Sequence, residues 1–483
     1  MFRNAPLALS LAVSVAWGEL RHDPLRAVAL GVRLLPPPVR RRLEPVERRL
    51  AGRAGTAGPA AAPSGSRVRA PAGRRLRPVP GRVLHLVTNG VPYKQAGYTV
   101  RTRKLTEAQR AAGLDPHVVT RIGFPVAQGV LDARPSQIVG GVPQHRLLPP
   151  WLPYGQAALL TRNAELAARL VERLRPAVLH AATDHGNGRV ALALREAYGL
   201  PVVYEVRGFL EETWLTQAPG RSRDDATYRA RRALETRCMR EADLVLTLGA
   251  AMRAEIVARG VPADRVLIAP NAVDEEFLAP PPDGAPLRAR LGIAPDEFVV
   301  GTVSSLTPYE GIDTLLLAGA ELRRLGVPLR LLIVGDGPER AHLERLAGRL
   351  GLSGGAALFT GRVPHDQVRG FHAVLDVFAV PRTDERVCRL VTPLKPVEAM
   401  ASGLPVAASD LTALAELVEP GVTGQLISPR SPQAWAEALK TLLYSQERRI
   451  EWGAAARAVV ARERTWTRVA DTTREAYRLL GCV

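Results

Sequence analysis

Cysteine is scarce in this 483-residue chain: Cys238, Cys388 and Cys482 are the only three. They are too few and too scattered for a disulfide framework or a zinc site, and they fit a reducing compartment. Lysine is nearly as scarce. Lys94, Lys104, Lys395 and Lys440 are the only four, so arginine carries most of the positive charge. The apolar run at residues 6–17, PLALSLAVSVAW, falls short of the ~20 residues that span a bilayer. It resembles the core of a secretion signal, but one Arg precedes it and no small-x-small cleavage site follows. Neither a G-x-G-x-x-G turn nor a Walker A loop occurs, which removes the main support for a dinucleotide oxidoreductase or a P-loop protein. No Asp-x-Asp stands near a strand end and no histidine cluster is visible, so no metal is expected. No repeat of 20–50 residues is visible either.

Hydrophobic residues at 46% and charged residues at 23% are ordinary globular values, and the length allows two or three domains. The net charge of +18 is uneven: residues 1–80 hold fifteen Arg against Glu19, Asp23, Glu44 and Glu47. Such a basic extension suits either an anionic membrane surface or a solvated tail. Nucleic acid is not expected, because no aromatic-interleaved basic patch or zinc-finger spacing accompanies the charge. In PLRAVALGVRLL, Leu25, Val28, Val32 and Leu35 share one helical stripe with Arg26 and Arg33 off it, a pattern for a membrane interface or for the protein's own surface. Residues 51–80 read as a linker rich in Ala, Gly, Pro and Arg. The expected location is the cytoplasm, with the inner face of the plasma membrane as a peripheral option.

From residue 81 the pattern becomes α/β. Buried-strand runs occur at VLHLV (83–87), DPHVVT (115–120), AVLHAAT (177–183), PVVYEV (201–206) and ADLVLTLG (242–249). A second series follows PNAVDEEFLAPPPDG (270–284): FVVGTVS (298–304), LRLLIVG (329–335), AALFTG (356–361), DVFAVP (376–381) and PVAAS (405–409). Strands alternating with helices imply parallel sheets covered on both faces. The expected architecture is therefore two Rossmann-like domains, 81–275 and 276–464, facing across a cleft, with a terminal helix near 465–480 that packs back on the first. Ligands of such sheets bind beyond the carboxyl ends of the strands.

Several residues stand at such ends. Gly97 precedes a helix in GVPYKQAGYT, where a backbone can approach a phosphate or simply turn. Gly335 and Gly337 in VGDGPER make a strand-to-helix turn, with Pro338 at the helix start. The densest stretch is VPRTDERVCRLVTPLKPVEAMASGLPVAASD (380–410), which puts Arg382, Arg386, Arg389 and Lys395 after a strand. Glu398 follows on a short helix, beyond the turn Thr392–Pro393–Leu394. Cations there could neutralise a diphosphate, and the acid could accept ribose hydroxyls. Glu205 and Arg207 end an earlier strand and could contact a sugar, an acceptor or each other. His180 and His185 flank another strand end, and Asn187 suits a helix N-cap before a ligand role.

EAMASGLPVAASD resembles the signature of retaining glycosyltransferase family 4, the group 1 glycosyltransferases of the GT-B fold. VLIAPNAVDEEFL, LLIVGDGPER and FTGRVPHDQV are similar to further segments of that family, and the resemblance covers roughly residues 83–475. It implies transfer of a sugar from a nucleoside-diphosphate sugar, with no cofactor, to a glycan, lipid-linked or polyol acceptor. It also places the backbone of Gly361–Val363 along the base pocket and Gly311 among the donor contacts. Three positions depart from the family pattern. The first Glu of Glu-x7-Glu is Leu390, the usual Arg and Lys after the second domain's first strand are Ser305 and Glu310, and the usual His is Arg207. The orderly motifs YEVRGF, YEGIDTLL and VTPLKPVEAM resemble an exopolysaccharide and cell-envelope branch, and they favour a rearranged site over an inactive one. Catalysis then falls to Arg382 and Lys395 without metal, with Glu398 on the donor ribose and Arg207 opposite. A nucleotide-sugar epimerase and a catalytically silent membrane or assembly module are the alternatives.

Overall fold

The computed structural model describes residues 5–20, 68–71 and 76–483. The stripe at Leu25–Leu35 and most of the linker lie outside the described residues. The chain divides into two compact units. The first runs to Thr247 and adds Ile256–Ile268 and Ala470–Val483; the second is Leu248–Glu255 with Ala269–Val469.

The first unit is built on eight strands: β1 (Arg82–Val87), β2 (Asp115–Thr120), β3 (Ser136–Val139), β4 (Val142–His145), β5 (Val178–Ala182), β6 (Val202–Val206), β7 (Leu244–Thr247) and β8 (Val266–Ile268). Their order is β3-β4-β2-β1-β5-β6-β7-β8, parallel throughout except for the antiparallel pair β3–β4. The helix Ala5–Leu20 covers the 6–17 run, and its Ala8, Leu11, Ala12 and Val15 pack with Val126 and Ala133. Ser10 donates to the Pro150 carbonyl at 3.0 Å, and Leu152 N donates to Ser14 at 3.2 Å. The signal-like run therefore serves as a docked helix here. No helix among the described residues is long and apolar enough to cross a membrane.

The second unit carries β9 (Phe298–Val303), β10 (Leu329–Val334), β11 (Ala357–Gly361), β12 (Val377–Val380), β13 (Val406–Ser409) and β14 (Gly424–Ile427), in the order β11-β10-β9-β12-β13-β14. Successive side chains of a strand point to opposite faces, and here both faces are buried. Val300, Leu331, Ile333, Val377, Ala379 and Ala407 enter one core, while Val299, Leu332, Val334, Phe378, Val380 and Val406 enter the other. This is why the strands read as continuous apolar runs.

Three expectations need correction. The packing boundary falls at Ile268/Ala269, not 275/276, because the PNAVD segment belongs to the second unit: Asn271 donates to the Thr392 carbonyl at 3.0 Å and Val273 N to the Arg464 carbonyl at 3.0 Å. The N-cap of the helix His185–Tyr198 is Asp184, whose carboxylate accepts from Gly186 N, so Asn187 lies inside the helix. The helix after Pro338 begins only at Arg340.

Candidate functional site

In the second sheet the strand order reverses between β9 and β12, the place where an open α/β sheet leaves room beyond its carboxyl edge. Ser304 follows β9, and Arg382 follows β12. Between β9 and the next helix, Pro308–Glu310 forms one tight turn that Gly311 ends in the left-handed region at φ +68°. A Cβ at Gly311 would lie 1.9 Å from the Pro381 carbonyl oxygen, so only glycine lets this turn press against the end of β12. Glu310 is thereby brought to Arg382.

Arg382 Nη2 donates to Glu310 Oε1 at 3.0 Å and its Nε to Oε2 at 3.3 Å, while Nη1 donates to the Val391 carbonyl at 3.2 Å. Lys395 opens the helix Lys395–Ala401; its Nζ donates to Ser304 Oγ at 2.9 Å and lies 3.6 Å from the same Glu310 Oε1. Glu310 and Arg382 are buried, whereas the Lys395 side chain keeps 31% of its exposure. Burial pushes the Glu310 carboxyl up, but Arg382 and Lys395 outweigh it and hold it at about 2. Burial pulls the Lys395 ammonium down, with Glu310 opposing and Arg382 reinforcing. Glu398, one turn further along this helix, is pushed up to about 8 by burial; Lys395 opposes that rise and Asp274 adds to it.

The remaining candidates of this unit are placed differently. Arg386 and Arg389 sit on the helix Arg386–Leu390, and each already holds a carboxylate at 2.5 Å, Glu255 and Asp384 respectively. Thr392 is buried with its carbonyl bonded to Asn271, and Leu394 caps the helix that carries Lys395 and Glu398. Gly335 is at φ +140°, and a Cβ there would meet the Ser304 carbonyl oxygen at 1.7 Å; one at Gly337 would meet the Leu306 carbonyl at 2.2 Å. Both glycines are thus explained by the neighbouring loop, which they hold at the end of β9. Gly361 accepts from Gly335 N at 2.9 Å, and Val363 packs on the core. Among the described residues, Asp274, Glu276 and His365 bring ligand-type atoms within 4.8 Å of one another. They flank Glu398, whose Oε1 is 4.0 Å from His365.

In the first unit Glu205, on β6, is fully buried. Arg101 reaches its Oε1 at 2.7 Å, and Arg207 reaches Oε2 at 2.5 Å. Arg207 Nη1 also donates to the Tyr98 carbonyl at 2.9 Å and to Thr102 at 2.6 Å, beside the start of the helix Gly97–Ala111. His180 lies 3.3 Å from Glu205 and 2.6 Å from the Tyr477 hydroxyl; Tyr477 in turn accepts from Gln109, which bonds His85. His180 and Glu205 stood as acceptor or sugar contacts, with a Glu205–Arg207 pair as the alternative for Glu205; the pair is what forms, and both residues are sealed inside this network. Burial holds the His180 imidazole below its ordinary range despite Glu205. His185 is closer to the surface and is lowered to about 4 by burial. Asn187 donates to Thr88 at 3.0 Å and to the Ala182 carbonyl at 2.8 Å, bridging the ends of β1 and β5. These strands are adjacent at the first sheet's own reversal of order. Gly97 is exposed, and a Cβ there would meet nothing within 4 Å. Glu310 and Ser304 are the residues the motif reading did not assign; the only signal for Glu310 was its acid at a position where the resemblance expects a Lys.

Two family models match the chain: Glycosyl transferases group 1 over residues 285–459 and Glycosyl transferase 4-like domain over residues 96–272. The D-inositol 3-phosphate glycosyltransferase of Nocardia farcinica is 32% identical over 301 residues, covering 60% of this chain and 64% of the relative. The protein of the same description from Corynebacterium urealyticum is 32% identical over 309 residues, covering 61% and 69%. The chain spans a little under two thirds of the length of the first of these. Among solved structures, sucrose-phosphate synthase from Thermosynechococcus elongatus matches with a TM-score of 0.68 at 22% identity, over 83% of this chain and 99% of that one. Anabaena HepE, crystallised with UDP and glucose, matches with a TM-score of 0.64 at 21% identity, over 83% and 100%. These likenesses establish the GT-B fold.

Proposed function

This chain belongs to the group 1 glycosyltransferases, and on that premise we propose that it moves a sugar from a nucleoside-diphosphate sugar to an acceptor hydroxyl with retention of configuration. The observation that carries the reading is the pairing of Arg382 and Lys395 at the reversal of the second sheet, with Glu398 one turn away. In the transfer, the bond from the anomeric carbon to the β-phosphate oxygen breaks and its electron pair stays on the phosphate. The acceptor oxygen bonds the anomeric carbon, and its proton leaves to the departing diphosphate or to solvent. The difficult charge is that on the diphosphate, and fixed cations at the strand ends stabilise it most where it is largest, in the transition state. Glu398 receives the donor's ribose hydroxyls, the Gly361–Val363 backbone lines the base, and no divalent metal takes part.

The relatives named for D-inositol 3-phosphate support a polyol phosphate as the acceptor, and HepE's bound UDP supports a uridine donor. The motifs YEVRGF and VTPLKPVEAM support membership of an exopolysaccharide or cell-envelope branch. The test is a screen of donors against acceptors with purified protein, read by mass spectrometry for free nucleotide and a new glycoside. Sugar interconversion without an acceptor would replace the reading with an epimerase; absence of nucleotide binding would replace it with a silent module. Residues 1–80 act in this reading as an address for anionic membranes, each cation adding on the order of 1 kcal/mol near such a surface. Replacing the arginines between residues 21 and 67 by glutamine, which leaves the docked helix Ala5–Leu20 in place, should weaken binding to phosphatidylserine vesicles and leave turnover of a soluble acceptor nearly intact. Equal vesicle binding by both forms would show that these charges make no membrane contact.

A further inference from the structure

We propose that Glu310 is a positioning residue of the donor site: a single carboxylate oxygen, shared by Arg382 and Lys395, keeps the two cations side by side and both protonated. The proposal rests on reading this site as the one for the nucleoside diphosphate. Glu310 Oε1 lies 3.0 Å from Arg382 Nη2 and 3.6 Å from Lys395 Nζ. Two like charges gathered at a buried strand end repel, and the one that can yield is lysine, since arginine keeps its proton. Without a counter-charge Lys395 would relieve the repulsion by losing its proton, and the diphosphate would lose half of its clamp.

The carboxylate cannot swing away to serve another partner. Gly311 presses its turn against Pro381, and Thr383 N donates to the Tyr309 carbonyl at 3.0 Å, which stitches the turn to the residue after Arg382. The Glu310 side chain is only 7% exposed, so it offers little to a ligand, while Lys395 retains both exposure and spare N–H donors after its bond to Ser304. The charged groups bearing on Lys395 are Glu310 and Glu398 in its favour and Arg382 against it. Those bearing on Glu310 are Arg382 and Lys395, with the Ser304 hydroxyl. Arg382 in turn faces Glu310, Cys388 and Tyr309. Glu398 does not duplicate the role: burial favours its neutral form, so near neutral pH Glu310 is the formal negative charge beside Lys395.

The chain's four lysines make the test direct. Lysine labelled with carbon-13 at Cε yields one signal per residue, and Lys395→Arg identifies that of Lys395. Glu310→Gln should lower the Lys395 titration midpoint by about one pH unit or more, a tenfold change in its protonation ratio, and Glu310→Asp should lower it less. Calorimetry with UDP and GDP between pH 6 and 10 should show the alkaline loss of affinity moving down with the same midpoint, the variant approaching wild type at the acid end. A merely structural role would weaken affinity by one factor at every pH. An unmoved Lys395 midpoint in folded Glu310→Gln overturns the proposal, and if that variant does not fold, an unmoved midpoint in Glu310→Asp does so. Wild-type protein that binds neither nucleotide overturns the donor-site reading instead, because the lysine titration is read without ligand.

Discussion

Glu205 in the first unit and Glu310 in the second are both buried carboxylates that hold two cations at the carboxyl side of a parallel sheet. They leave those cations in different conditions. Arg207 directs Nε and Nη2 to Glu205 Oε2 and Nη1 to Tyr98 and Thr102, His180 meets the same Oε2, and Arg101 takes Oε1. The Arg207 guanidinium is committed to holding β6 to the helix Gly97–Ala111. Lys395 is instead held by one edge, with a third of its side chain still exposed. Proximity of an acid and a base in the sequence says nothing about which case applies. What separates them is how many donors remain after the protein has satisfied its own acceptors. The first cluster therefore spends its cations on the fold, whereas the second keeps donors to spare, which is the basis for proposing the donor site there.

The largest expected effect tests the first half of that contrast. Glu205→Leu strips the counter-charge from Arg101 and Arg207 in a site without solvent, which should cost about 3–5 kcal/mol of stability. Thermal unfolding of the variant beside wild type measures it. A variant of full stability that had lost UDP affinity would reverse the assignment and make the first cluster the binding element.

Next in size is a contrast of sign between the two carboxyls that face Lys395. Glu310 is held at about 2, below its unfolded value, so its stabilisation is present above about pH 4.5 and is lost as pH falls through 2. Glu398 is raised to about 8, so the folded state binds more protons than the unfolded one between about pH 4.5 and 8, and stability falls as pH rises across that window. Glu398→Gln should therefore stabilise the protein at pH 8 by about 2–4 kcal/mol, since moving a midpoint by one pH unit is worth roughly 1.4 kcal/mol. It should also raise the donor KM, because the amide nitrogen of Gln cannot accept a ribose hydroxyl where the second carboxyl oxygen can. Chemical denaturation at pH 5 and pH 8 reads the first effect. A variant less stable than wild type at pH 8 would mean that Glu398 is a structural acid like Glu205.

Smaller again is the effect on turnover of removing the exposed cation. Lys395→Ala should lower kcat at least about tenfold, ~1.4 kcal/mol of barrier, with the fold intact. Arg389→Ala, whose guanidinium is exposed and paired with Asp384, should change kcat little. Equal losses in both variants would show that total basic charge matters, not its placement.

Much of this was legible in the sequence where one segment carried the information. Arg382, Lys395 and Glu398 fall within one loop and helix, so their convergence follows from local order. Each of the ten runs read as buried strands became a strand, while the 6–17 run became a helix. The strands that went unread are short, and three lie at sheet edges: β3 is a polar SQIV, β8 has three residues, and β14 is only half buried. Their companion β4, the short VPQH, lies one place in from β3. One-sided burial gives such strands no continuous hydrophobic signature. Pairings across long separations were equally hidden. Nothing in HAATDHGNG announces that His180 will meet Tyr477 near the far end of the chain. Nothing in YEGIDTLL announces that Glu310 will take Arg382 from 72 residues away. The sequence marked Glu310 only as an acid out of place, and its partners explain why an acid belongs there.

The smallest expected effect is none at all. If fixed cations carry the diphosphate charge, turnover should be unchanged by EDTA and by added Mg²⁺ or Mn²⁺, since the protein already supplies what a metal would contribute. Asp274, Glu276 and His365 gather within reach of a single ion, and His365 lies 4.0 Å from Glu398. An ion held there would lie beside the acid that is raised to about 8 and would draw its proton off, so metal would move the pH dependence of donor affinity as well as the rate. The expected result is a donor-affinity profile that superimposes with and without EDTA, together with unchanged kcat. Turnover that vanishes in EDTA and returns with Mg²⁺ would transfer the work from Lys395 to the metal. If Asp274→Asn then reproduced the loss, this acidic cluster would be the site responsible.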